Sequence, residues 1–275
     1  MADVERPTAL FTDLGGGRLQ ATEAGRGPWD ARALHGGPVA ALVARALEGA
    51  LADAAGPDDP AFVPVRLALE LERPVGLDPL EVRAEVTRPG RSVRSADATL
   101  LDGDGRRLAR ATLVAIRRRA APLDLGAAVL PSDEAPAPPG PPAAPSWETY
   151  PGPAFHRDAV EHRFVRGSFD EIGPTTDWIR LLLPVVAGED PTPLQRVAAA
   201  ADFGNGVSAA VDHATHTFIN PDLVITLLRV PEGTHVGLEA VTRIDAGGVG
   251  LAESTLWDAR GRVGVASQTL VVDAR

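Results

Sequence analysis

One order of signals recurs in this chain at a fixed distance, and it limits the possible folds more than any other feature. A helical stretch rich in alanine, starting at His35, precedes four strand-like runs. These are FVPVRLALELER (62–73), LEVRAEVTR (80–88), RSVRSADATLLD (91–102) and RRLARATLVAIRR (106–118). The order returns as PLQRVAAAADFGNGVSAAV (193–211), FINPDLVITLLR (218–229), THVGLEAVTR (234–243), GVGLAESTLWD (248–258) and GRVGVASQTLVVD (261–273). At an offset of 156 residues, read without a gap, Phe62 falls on Phe218, Leu71 on Leu227, Arg73 on Arg229, Ala84 on Ala240 and Asp102 on Asp258. Solenoid repeats run to roughly 20–50 residues, so a period this long means a domain duplicated once.

A helix followed by an antiparallel meander reads as α+β, with a sheet wrapped around one long helix. Asp102-Gly103-Asp104-Gly105 supplies the turn signal of a hairpin. Two such units side by side predict a tandem, or double, hot-dog. The expected division is an N-terminal unit over 1–119, a Pro/Ala-rich linker over 120–150 and a C-terminal unit over 151–275. The segment AAPLDLGAAVLPSDEAPAPPGPPAAPS (120–146) holds too much proline for a helix or a central strand.

Composition narrows the function. All the basic residues are arginine, and the net charge of −10 leaves no basic excess to neutralise phosphates, so nucleic acid is excluded as a partner. The chain has no cysteine, hence no disulfide, thiolate metal site or Cys nucleophile. There is no GxSxG, HExxH, Walker or Rossmann motif. No signal peptide and no apolar run of about 18 residues is present, so a cytoplasmic protein without a membrane span is expected. His213 and His216 beside Asp212 are read as surface loop rather than metal ligands, and no metal or cofactor is expected.

Duplicated halves share structural residues, so polar residues present in one half only are the functional candidates. Asp202 falls on Ala46, and a carboxylate among Ala198, Ala199 and Gly206 is costly unless paired or used. The competing reading is that Phe203-Gly204-Asn205-Gly206 breaks the helix and Asp202 caps a turn. Asn220 falls on Pro64, where an ordinary Asn-Pro turn is the alternative. Gln268 falls on Thr112 and shares strand parity with Ala266, Leu270 and Val272, an apolar face on which a lone amide needs partners.

Gly36 falls on Thr192 and Gly37 on Pro193, and Thr192-Pro193-Leu194-Gln195 reads as a capping box. His35-Gly36-Gly37 therefore opens a helix. Its free N–H groups suit a developing oxyanion, while close helix packing explains the glycines equally well. Arg88, Arg91 and Arg94 are candidates for phosphate contacts or a solvated basic edge. Trp29, Trp147, Trp178 and Trp257 are read as packing residues.

HGGPVAALVARAL, VRLALELERPV, AAADFGNG, NPDLVITLLRVP and ASQTLVV, in this order, make the chain resemble the acyl-CoA thioesterase II-like (TesB-like) double hot-dog family over most of its length. The resemblance implies an Asp on the second helix, a hydroxyl residue early in the next strand and a Gln in the last strand, together orienting a water. These positions match Asp202, Asn220 and Gln268. Asn at the second is a departure from the family's hydroxyl. His35, Gly36 and Gly37 are the matching substrate-binding candidates.

The expected reaction is hydrolysis of an acyl-CoA to free acid and CoA, with one site per chain and CoA as part of the substrate. A non-catalytic acyl-CoA or lipid-binding protein and, further off, a hot-dog hydratase or dehydratase stay open. A homodimer is expected because hot-dog sheets pair edge to edge.

Overall fold

The computed structural model describes residues 6–56, 61–121, 123–124, 134–137, 140–146 and 150–275. The first half contains β1 (Phe11–Gly15), β2 (Arg18–Ala21), α1 (Gly36–Asp53), β3 (Phe62–Leu71), β4 (Leu80–Pro89), β5 (Val93–Leu101) and β6 (Arg107–Arg117). The second contains β7 (Val160–Arg166), β8 (Thr175–Leu181), α2 (Pro193–Ala201), α3 (Gly204–Val207), β9 (His216–Ile219), β10 (Asp222–Leu227), β11 (His235–Asp245), β12 (Val249–Asp258) and β13 (Gly261–Ala274). All the strands described join one antiparallel sheet in the order β1-β2-β4-β5-β6-β3-β10-β13-β12-β11-β8-β7, with β9 on β13. The second half of that order mirrors the first, as a duplication about the central β3–β10 pair demands. The architecture is a double hot-dog: each half curls around its helix, and α1 and α2 meet inside.

The helices are rich in small residues because they cross closely. A Cβ on Gly37 would lie 2.6 Å from the Ala199 carbonyl oxygen and 2.8 Å from the Phe155 ring. The N-cap residues are His35 and Thr192, so the helices align one residue away from the offset of 156. Thr192 Oγ1 accepts the Gln195 N–H at 3.2 Å, but the reciprocal half of the capping box is absent. Gln195 Nε2 and Thr192 Oγ1 instead donate to Glu48 Oε2 of α1, at 3.2 and 2.7 Å. Burial raises the Glu48 carboxyl above the usual carboxylate range.

The gapless repeat is corrected in the last strand. Ala96 of β5 pairs with Leu113, whereas its counterpart Ala252 of β12 pairs with Gln268. Four residues separate the pair Trp257–Arg262, against five between Leu101 and Arg107, so the second hairpin is one residue shorter. Gln268 therefore replaces the fully buried Leu113, not the exposed Thr112.

Two predicted elements are split. The helix predicted over 193–211 stops at Asp202, since Gly204 must approach the opposite strand. A Cβ there would lie 2.9 Å from Gln268 Oε1 and 2.8 Å from Ser254 Oγ. The strand predicted over 218–229 breaks at Asn220-Pro221, where proline has no N–H for the ladder. The first half bends at the same place, with a register shift between Pro64 and Arg66. Each outer strand is covered at one point by chain from the same molecule. Leu10 and Phe11 donate to the carbonyls of Pro184 and Val185, and Ala143 donates to that of His162 on β7.

Candidate active site

The polar residues that distinguish the second half converge where α2 ends and α1 begins. Asp202 is the C-cap residue of α2 and is 4% exposed. The helix breaks there, and the carboxylate meets polar side chains. Both carboxylate oxygens lie 2.6 Å from where a Cβ on Gly36 would be. Glycine is thus required at Gly36 by the carboxylate and at Gly37 by the α2 backbone. The positive end of α1 also favours an anion at this point.

Three side chains reach the Asp202 carboxylate. Asn220 Nδ2 donates to Oδ1 at 2.9 Å, and Gln268 Nε2 donates to Oδ1 and to the Asp202 carbonyl, each at 3.2 Å. His35 Nδ1 lies 2.7 Å from Oδ2 and 3.0 Å from the Gly37 nitrogen. The Gly37 N–H donates to Nδ1, so His35 caps α1, and Asp202 Oδ2 packs against the same edge of the ring.

Other bonds fix the amides. Gln268 Oε1 accepts the Asn205 N–H at 3.1 Å, Asn205 Nδ2 donates to the Phe218 carbonyl at 3.2 Å, and Asn220 Nδ2 also donates to the Asp222 carbonyl at 3.1 Å. His35 is wedged against Phe155 and Phe203, with ring centroids 5.1 and 4.6 Å away. The six candidate residues form one constellation, which joins the helix start of one half to the helix end and strands of the other.

This constellation borders a cavity of about 560 Å³ between the halves. Asp202, Asn220, His35 and Gly36 lie on its wall. The volume is that of a small-molecule site.

Two family models cover most of the chain. The acyl-CoA thioesterase N-terminal domain matches residues 25–116, and the acyl-CoA thioesterase C-terminal domain matches residues 131–272. The chain belongs to the acyl-CoA thioesterase family. Its general reaction is the hydrolysis of acyl-CoA thioesters.

Among solved structures, a hot-dog-fold protein from Alicyclobacillus acidocaldarius shares 19% identity with this thioesterase, with a TM-score of 0.69 over 98% of this chain and 97% of the other. Acyl-CoA thioesterase II TesB2 from Mycobacterium marinum shares 13% identity, with a TM-score of 0.63 over 96% of each chain. At these identities the likeness is one of fold. No curated protein sequence matches the chain.

Several residues of the thioesterase lie elsewhere than the sequence suggests. Arg88, Arg91 and Arg94 do not line the cavity, and the Arg94 guanidinium sits 4.2 Å over the Phe62 ring. Trp29 is a cavity wall rather than a packing residue, with its ring against His213 and Phe218. Trp178 and Trp257 are buried, and Trp147 lies outside the described residues. No His/Asp/Glu cluster suited to a metal ion occurs among the described residues. No helix among them is long and apolar enough to cross a membrane.

His35, a substrate contact by sequence, also lies against Asp202. The sequence reading misses this contact and the buried pair His162–Asp177, with Nδ1 2.5 Å from Oδ2, behind Phe203. His162 sits between Glu161 and Arg163 and His35 precedes two glycines, so the sequence carries no signal for either contact. Burial, helped by the neighbouring His35 and Arg157, lowers His156 to about 3, so it stays neutral.

Proposed function

We propose that Asp202, Asn220 and Gln268 form the hydrolytic site, with Asp202 as general base toward a water that attacks the thioester carbonyl. The observation that carries this reading is the convergence of His35, Asn220 and Gln268 on one buried carboxylate at a cavity wall. A carboxylate has about four lone-pair directions, and Asn220 and Gln268 take those of Oδ1. Oδ2 keeps a lone pair to accept the proton of the attacking water. Asn220 supplies a donor where the family resemblance implies a hydroxyl, so the water is oriented by an amide.

The developing oxyanion is assigned to the start of α1, with the Gly36 N–H on the cavity wall as its donor, since the Gly37 N–H already donates to His35 Nδ1. His35 packs against the carboxylate and so reaches further than a simple substrate contact. The leaving thiolate corresponds to a thiol of pKa about 8.5, and it departs without a strong general acid. The first half carries Arg45, Pro64 and Leu113 at the counterpart positions, with neither the carboxylate nor the two amides, which supports one site per chain. CoA belongs to the substrate, and no separate cofactor enters the reaction.

The test is a single turnover of an acyl-CoA in ¹⁸O-labelled water. Direct attack puts one labelled oxygen into the acid in the first turnover. An unlabelled acid, with the label appearing in Asp202, would mean a covalent acyl-enzyme and would refute the assignment. No thiol release together with tight acyl-CoA binding would refute it in favour of a binding protein.

A further inference from the structure

We propose that Val39 closes the acyl end of the cavity and sets the longest chain the enzyme accepts, which makes short to medium chains its substrates. The inference rests on Asp202 marking the reacting centre. The cavity has a direction. Ile219 and Val271 on its wall are exposed and Trp29 is half-buried, so that end is the mouth. Asp30, Glu72, Arg73 and Asp273 border the cavity as well, and charged side chains belong on its solvent side. Leu34, Val39 and Val75 also line the cavity and are nearly inaccessible, Val39 at 1%, so they make its floor. The nucleotide of CoA is anionic and cannot be placed in that apolar floor, so the acyl group points inward.

Helical spacing identifies the stop. Gly36 touches the Asp202 carboxylate, and Val39 lies three residues, just under one turn of about 5.4 Å, further along α1. The helix contributes His35, Gly36 and Val39 to the wall and nothing beyond. The next residue on that face, Val43, is fully buried in the core with Leu42 and Leu47. A chain growing inward from the carbonyl therefore meets the Val39 isopropyl group. Behind it the space is already filled.

The test measures kcat/KM for straight-chain acyl-CoAs from acetyl to palmitoyl on wild type, Val39→Ala and Val39→Phe, with Val39→Ile as a second enlarged variant should the Phe protein not fold. One methylene in an apolar pocket is worth about tenfold or more. The long-to-short ratio of kcat/KM is expected to rise about tenfold in Val39→Ala and to fall about tenfold in the enlarged variants. Ratios within about twofold of wild type in all variants would overturn the proposal and leave the hydrolytic site untouched.

The same acyl-CoAs are titrated calorimetrically into Asp202→Asn with and without each Val39 change. If wild type releases no thiol but the preferred bound length follows residue 39, the hydrolytic reading fails and this inference stands. If binding shows no dependence on residue 39 either, the inference falls.

Discussion

Replacing Gly36 by alanine adds one methyl group at the point where the two halves meet. Its position is fixed by the helix: 2.6 Å from both Asp202 carboxylate oxygens and 2.8 Å from Cγ. Ordinary van der Waals contact begins near 3.4 Å, so the carboxylate must retreat by the difference, about 0.8 Å. Such a shift breaks the alignment with Asn220 and Gln268, whose bonds of 2.9 and 3.2 Å have little slack. Misplacing a catalytic group by about 1 Å costs around 10²-fold in rate, and overpacking costs about 1–3 kcal/mol in stability.

The expected outcome is a kcat/KM for acyl-CoA hydrolysis about 10²-fold below wild type, in a protein that still unfolds cooperatively. Gly49→Ala in the same helix is the control. Its Cβ meets nothing within 4 Å, and alanine there should stabilise by about 0.5–1 kcal/mol with turnover unchanged. Thiol release and thermal unfolding read both variants side by side. A Gly36→Ala enzyme within about threefold of wild type would show that the carboxylate position is immaterial, and would refute the reasoning.

Other outcomes follow from the same contacts. Gln268→Leu imports the residue of the first half, and with it the donor to Asp202 and the acceptor for the Asn205 N–H are lost; kcat/KM should fall about 10²-fold with the fold retained by circular dichroism. His156 stays neutral in the folded protein down to about pH 3 but titrates near 6.5 when unfolded, so the unfolded chain binds more protons in between and stability falls as pH drops through that window. Urea unfolding should show wild type losing about 2 kcal/mol from pH 7 to 5 relative to His156→Gln, and equal losses would refute the burial argument. Arg229→Met strands the buried Asp258 carboxylate, to which both guanidinium Nη atoms donate; Arg229 is partly exposed, so the loss in denaturant unfolding should sit at about 3 kcal/mol.

The fold was legible because duplication repeats the alternation of core residues strand by strand, and Leu71 over Leu227 or Asp102 over Asp258 survives in sequence. Asn220 was legible for the converse reason, as a polar residue where the other half has Pro64, and Asp202 as a carboxylate among small residues. Gln268 was found but matched to the wrong partner. A one-residue difference in a hairpin moves every later residue to the opposite face, and the sequence shows no gap. The split of the second helix was legible only as an alternative, in Phe203-Gly204-Asn205-Gly206, because a distant contact imposes it, Gly204 against Gln268. The contact between His35 and Asp202 was hidden, since it joins residues of different halves. Local patterns report which residues are unusual, and tertiary packing decides which of them touch.

The account turns on Asp202 as the base, and one comparison tests this most directly: kcat/KM for acyl-CoA hydrolysis by wild type and Asp202→Asn, with acyl-CoA affinity measured on both. The amide keeps the shape and loses the basic oxygen. The account predicts a fall of about 10³-fold in kcat/KM with binding retained. Turnover in the variant close to that of wild type would contradict it and move the base to another residue.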